Sequence, residues 1–418
     1  MLLVTKDFKI YSGFFVLALS ALLLVGCEGQ DAFSLYDEDY ESNPQPVINE
    51  VDPPENYLAG IDAITILGEN FHPDAELNRV FFTDGEDTER GKVLSASEDV
   101  LEVRTGDLVS DDVIIRVEVR GAEKFSEPYE YELQPAVIRP DGIRSTHEPQ
   151  SVEIDQQGNI YMALVEGGSN VGIVRIDHET AEMETIAERG GWTYQTIRMG
   201  PDNALYMVRP GDIPIIYRLD VNEDEEENWV FGTPRTDDID FDQNGYLWGG
   251  GMNEGEGDDA VLVRVDQQGD YETFPFDADV TALRAYDGGL YAAGSQNDQL
   301  KVWRFDLDSN SEPGNPEEYF DFSGEVGVND WTLHSMIFSD SGELFIGTDG
   351  DKAIIEVEPG GTEWQHFYPD VVDPNTLSLS WMPGSEYLFM AQGESNVSDG
   401  DLLQINMLRD GAPQYGRD

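Results

Sequence analysis

A four-residue phrase recurs six times along this chain and limits what the chain can fold into. It reads Val174-Arg175-Ile176-Asp177, Tyr217-Arg218-Leu219-Asp220, Val263-Arg264-Val265-Asp266 and Trp303-Arg304-Phe305-Asp306. Two weaker copies are Ile355-Glu356-Val357-Glu358 and Leu403-Gln404-Ile405-Asn406. Each alternates apolar and polar residues, as a strand does, and stops at an acid or amide suited to opening a tight turn.

A second phrase precedes each copy. Asp155-Gln156-Gln157-Gly158-Asn159-Ile160-Tyr161 and Asp242-Gln243-Asn244-Gly245-Tyr246-Leu247-Trp248 are its fullest forms; shorter ones begin at Pro201, Asp287, Asp340 and Pro383. Each is a polar turn leading into an aliphatic-aromatic strand start, which is a hairpin signal. Turn, strand, turn and strand at intervals of roughly 40–50 residues is the spacing of β-propeller blades. The expected fold is all-β, a six-bladed β-propeller over 135–418 with a short polar C-terminal tail. The last blade offers three clear strands, Leu377–Trp381, Tyr387–Ala391 and Leu402–Met407. Ala136–Ile138 is expected to close the ring as its fourth, which removes an open edge.

Upstream, seven short strand candidates between Val47 and Leu133, separated by turn signals, read as a small sandwich. Ile48-Asn49-Glu50-Val51-Asp52-Pro53, Ala63 to Phe71 and Val80-Phe81-Phe82 resemble an IPT/TIG immunoglobulin-like domain. The Gly68-x-Asn70-Phe71 step carries that resemblance: glycine and asparagine turn the chain while phenylalanine plugs the sandwich end. The resemblance implies an Ig-like β-sandwich over 46–134, acting as a spacer. The repeats themselves resemble NHL-type six-bladed propellers, a group that includes the gluconolactonase family. That resemblance specifies architecture and leaves function open.

Lys6 and Lys9 precede an apolar run, Phe14 to Val25, too short to span a bilayer comfortably and shaped like a signal-peptide core. The run ends in Leu24-Val25-Gly26-Cys27, which resembles the bacterial lipobox. The resemblance implies cleavage after residue 26, acylation of Cys27 and a membrane contact through the lipid. Glu28 stands where an aspartate would imply inner-membrane retention, so the outer membrane is favoured. Cys27 is the only cysteine, which excludes a disulfide within the chain. Residues 27–45 are acidic and nearly free of aliphatics, the composition of a solvated tether. Acids outnumber bases by 85 to 24, for a formal charge of -61. That excess repels nucleic acid and suits a salty habitat, where counterions screen the self-repulsion.

Aligning the units places Gln150, Gln195, Asp237, Asp279 or Thr281, His334 and Ser378 near one mouth of the channel. Trp192, Tyr194, Trp331 and Trp381 lie close in sequence. A polar ring bordered by aromatics suits a glycan, whose hydroxyls need hydrogen bonds and whose ring faces stack. The bland alternative is that the polar groups hydrate the channel and the aromatics fill space between blades. An enzyme reading uses the same mouth: resemblance to gluconolactonase-type propellers implies a divalent cation, with Asp237, Asp279 and Gln195 as candidate ligands. His334 as general base, oriented by Asp237 and sharing the mouth with His147, is the lyase variant. Asp306, Asp308, Asn310 and Glu317 fall at the spacing of a calcium loop, although Ser311 replaces the expected glycine. A third reading is a protein-interaction scaffold. The stretch from Asp306 to Asp330 is expected to form a lip for either binding role.

Overall fold

The computed structural model describes residues 41–415, except 55–56, 107, 210–213, 252–260, 370 and 394–399. Cys27, the expected signal peptide and most of the tether lie outside the described residues. Among those described, six four-stranded antiparallel sheets form a propeller. Their innermost strands are His147–Ile154, Thr196–Gly200, Asp238–Phe241, Asp279–Tyr286, Leu333–Phe338 and Thr376–Trp381. Each packs against the next and the last returns to the first. The sixth sheet takes its outermost strand from upstream, with Val137 paired to Ile405 and Ile138 to Gln404. The ring is closed by this strand, as the missing fourth strand of the last repeat led us to expect.

The two repeated phrases have physical reasons. Asp155 accepts the backbone N–H groups of Gln157 and Asn159, both at 2.9 Å, and the Tyr161 hydroxyl at 3.0 Å. Asp242 does the same for Asn244, Tyr246 and the Trp248 indole N–H. One carboxylate thus closes the turn and satisfies a buried aromatic's polar atom. The arginines are set by strand register. Arg175 lies between Tyr161 and Glu184, Arg218 between Tyr206 and Glu227, and Arg264 between Trp248 and Glu272. Arg304 lies between Tyr291 and Glu317. Each guanidinium has a ring on one side and a carboxylate on the other.

The fifth blade departs from this rule and is repaired from outside. Glu356 stands in the arginine position, between Phe345 and Gln365, and is 2% exposed. The cation comes from the C-terminal segment: Arg409 lies over Phe345 and meets Glu356 at 2.6 Å. The segment then bridges Ser339 through Gly411 and reaches the third blade, where Tyr415 packs near Phe241. The polar tail is therefore a strap across the turn end of the propeller.

The sandwich is one eight-stranded sheet folded over on itself. The strand Thr88–Ala96 belongs to both halves, pairing first with Asn78–Thr83 and then with Val100–Arg104. Its second half, from Val93, reads as a strand in the sequence, and its polar first half hides where it begins. Ile64, Ile66, Val80, Phe82, Leu101, Val103, Ile115 and Val117 fill the interior. Asn70 has φ of 64°, and its side chain donates to the Gln45 carbonyl. A Cβ on Gly68 would lie 2.0 Å from the Val47 carbonyl oxygen and 2.4 Å from the Phe71 ring. Leu58 and Ile61 pack among Ala136, Phe367, Tyr368 and Val372, so the sandwich has an apolar seat on the propeller's last two blades.

Candidate functional site

The innermost strands stack their channel-facing side chains in layers. The outer layer consists of Gln150, Gln195, Asp237, Thr281, His334 and Leu377, which with their neighbours line a cavity of about 300 Å³. In four blades the pairing register slips by one residue at this layer, at Gln150, Thr281, His334 and Leu377. A bulge leaves one residue outside the ladder and re-aims its side chain. The same local irregularity recurring around the mouth is the feature that distinguishes this end of the channel.

The second layer stitches the blades together. Ser151 accepts the Ile197 N–H at 3.2 Å, Ser378 the Val152 N–H at 3.3 Å, and Ser335 the Leu379 N–H at 3.1 Å. Asp238 accepts the Leu283 N–H at 2.9 Å. Below them Glu153, Arg198, Asp240 and Arg284 alternate in sign over four consecutive blades, each less than a tenth exposed. Arg198 meets Asp238 at 3.0 Å and Glu153 at 3.8 Å, and Arg284 meets Asp240 at 3.8 Å. Burial and the Arg198 charge push the Arg284 guanidinium down to about 10, against the pull of Asp240. Burial pushes the Asp240 carboxyl up, opposed by Arg284 and Arg198. Of these four, Arg198 lines the cavity, at its floor beside Asp238. At the other end of the channel a separate hollow of about 400 Å³ is bordered by Asp242, Tyr286, Asp340 and, from the strap, Pro413 and Tyr415.

Of the residues singled out from sequence, the cavity brings together Gln150, Tyr194, Gln195, Asp237, Thr281, His334 and Ser378. It does not include Asp279, Trp331 or Trp381. Asp279 begins its strand opposite Ser295, two residues before Thr281. Trp381 is 1% exposed, wedged against Phe345 and Gly411, and donates its indole N–H to the Ser385 carbonyl. Trp331 covers Gly350 and carries the Lys352 ammonium over its ring. Tyr194 is fully buried and donates its hydroxyl to Glu226 at 2.6 Å. The expected border of stacking aromatics is therefore corrected for Trp331 and Trp381, which serve packing beside and between blades, while Tyr194 stays at the cavity wall as a buried ring. Ser378 also spends much of its capacity on stitching, with its hydroxyl 3.3 Å from that of Ser151. The expected lip from Asp306 to Asp330 is instead an outermost strand, Glu317–Phe320, and a one-turn helix, Phe322–Val326, anchored by buried Phe322.

The cation readings do not fit the geometry. Asp237 is held by the Arg235 guanidinium at 3.0 and 3.1 Å, and Gln195 offers it an amide N–H at 3.1 Å. Gln195 is the donor in that pair. Asp308 accepts the backbone N–H groups of Asn310 and Glu312, and Asp306 is paired with Arg304 at 2.6 Å. Those acids shape a turn. Among the described residues no group of three His, Cys, Asp or Glu is placed to hold a metal ion.

His334 is oriented by Asp349, with Nε2 3.7 Å from the carboxylate, and not by Asp237. Burial would raise the Asp349 carboxyl, but hydrogen bonds from His334 and Thr332 hold it at about 2. His147 is 1% exposed, accepts from the Arg144 side chain and lies outside the cavity lining. Sequence reasoning missed Thr193, Arg198, Arg235, Asp238, Ser335 and Asp349. Thr193 Oγ1, at the cavity wall, is buried without a hydrogen-bond partner among the described residues. Arg198, Asp240, Arg284 and Glu153 share one column when the inner strands are aligned, and their alternating sign was the available signal.

Among solved structures, the chain is similar to an auxiliary nutrient binding protein from Bacteroides thetaiotaomicron VPI-5482, with 15% identity and a TM-score of 0.52. That match covers 88% of this chain and 99% of the other. It is also similar to a gluconolactonase-family protein, with 13% identity and a TM-score of 0.51 over 66% of this chain and 94% of that one. At these identities the likeness establishes a shared fold. No family model matches the sequence, and no curated protein matches it.

Proposed function

We propose that this protein is a binding protein of the bacterial cell envelope, held to the outer membrane through acylated Cys27, whose propeller cavity takes a glycan. The recurrence of bulges at Gln150, Thr281, His334 and Leu377 around one mouth carries this reading. Three of the four bulges fall at polar residues, Gln150, Thr281 (whose hydroxyl donates to the Leu333 carbonyl at 2.7 Å) and His334, which line a cavity of about 300 Å³, at the small end for ligand sites and suited to a single sugar unit. Thr193 Oγ1, without a partner among the described residues, is a group that a ligand hydroxyl would satisfy.

Binding is favoured over metal-assisted catalysis because the cavity's acids are already engaged, Asp237 by Arg235 and Asp238 by Arg198. A carboxylate neutralised by a guanidinium is a weaker base and a weaker metal ligand. The TIG-like sandwich serves as a mount, an assignment supported by its apolar seat at Leu58 and Ile61.

The test is a thermal-shift screen of mono- and oligosaccharides on the full-length chain in detergent, in high salt. A ligand at one hundred times its Kd adds about 2.7 kcal/mol of stability. The expected hit raises the Tm of the wild type and loses that effect in Gln195→Ala and Thr281→Val. A hit that stabilises these variants equally would place binding elsewhere.

A further inference from the structure

Beside the cavity, on the upper face between the first two blades, lies a groove lined by Arg189, Trp192, Arg209, Tyr217 and Glu226. Two guanidinium groups sit over the Trp192 ring, Arg189 at 5.4 Å and Arg209 at 5.1 Å. They differ in one respect. Arg189 is ion-paired with Glu226, whereas Arg209 makes no ion pair among the described residues. In a chain with 85 acids and 24 bases, an arginine held on an indole, with no ion pair among the described residues, offers its charge to a ligand's anion.

The groove and the cavity share a loop. Trp192 belongs to the groove, while Thr193 and Gln195 belong to the cavity wall. Three residues of chain span roughly 11 Å at most, so one extended ligand can contact both. Resting on the cavity reading above, we infer that the ligand is a glycan chain with one unit in the cavity and the next carrying a carboxylate to Arg209. The Trp192 ring lies against the guanidinium, whose fork suits bidentate pairing with that carboxylate.

The experiment is calorimetry on the full-length chain in detergent, with trimers of galacturonate and of mannuronate, each beside its uncharged methyl ester and its monosaccharide. Arg209→Gln removes the charge and Gln195→Ala cuts into the cavity; circular dichroism melting checks that both variants fold. The expected result is an acidic trimer that binds the wild type more tightly than its ester. Arg209→Gln should weaken that trimer about tenfold or more, the usual worth of one charge-assisted hydrogen bond, and leave the ester and the monosaccharide unchanged. Equal binding of acid and ester, unaltered by Arg209→Gln, would overturn the inference and leave the cavity reading standing. Acid-trimer binding that needs Arg209 but ignores Gln195→Ala would make the groove an independent site and also overturn it. Loss of the cavity reading itself shows separately, as monosaccharide binding indifferent to Gln195→Ala. Absence of binding by every probe would overturn both.

Discussion

Arg198 and Asp238, from adjacent blades, meet at 3.0 Å on the cavity floor, with 3% and 4% of their side chains exposed. Asp238 reaches on to the Leu283 N–H, so this pair ties three blades together beneath the cavity. Buried charges of this kind cost little when paired and a great deal when orphaned.

Arg198→Met therefore leaves Glu153, Asp238 and Asp240 without their shared cation. The expected loss is about 3–5 kcal/mol, read from the urea midpoint. Arg198→Met combined with Asp238→Asn should recover part of it, because one orphaned charge is removed. Additive losses in the double variant would show that the two residues do not act as a pair.

The strap makes a second prediction. Arg409→Ala should destabilise the protein by roughly 2 kcal/mol, below the range for a fully buried pair because Arg409 is partly exposed. Glu356→Gln in the same chain should restore most of it, since glutamine suits the position beside Gln365 without a charge. No rescue would mean that Arg409 acts through other contacts.

Asp349 gives a signed pH dependence. Its folded value of about 2 lies below the ordinary 3.8, so its stabilising contribution is complete above about pH 4. That contribution fades as pH falls toward 2. The difference in urea midpoint between wild type and Asp349→Asn should shrink steadily over that window. A difference that stays constant from pH 5 to pH 2 would contradict the assignment.

Metal analysis separates the two functional readings. With Asp237 engaged by Arg235, Asp237→Asn and Asp279→Asn together should not change the divalent-ion content of the protein after dialysis in high salt. A stoichiometric calcium ion present in the wild type and missing from the double variant would restore the enzyme reading.

The repeats made the propeller legible because each phrase does local work: Asp155 and Asp242 close turns, and Arg175 and Arg264 pair across strands. Local rules leave marks at fixed spacing. The closing strand Val137–Ile138 was legible by subtraction from an incomplete sixth repeat. The cavity's polar residues were half legible, since alignment of the inner strands identifies a layer without saying which way each side chain turns. Trp381 shows the limit: its neighbours Phe345 and Gly411 are remote in sequence, so nothing nearby marked it as packing. Asp349 and the strap escaped for the same reason. Their partners, His334 and Glu356, belong to other strands or other blades.

The most direct test is a crystal of the protein soaked with the tightest sugar from the screen. The account predicts ligand density in the cavity, with hydroxyls against Gln150, Gln195 and Thr193 and none at the strap end. Density beside Tyr415 or on the sandwich, with the cavity holding only water, would contradict it.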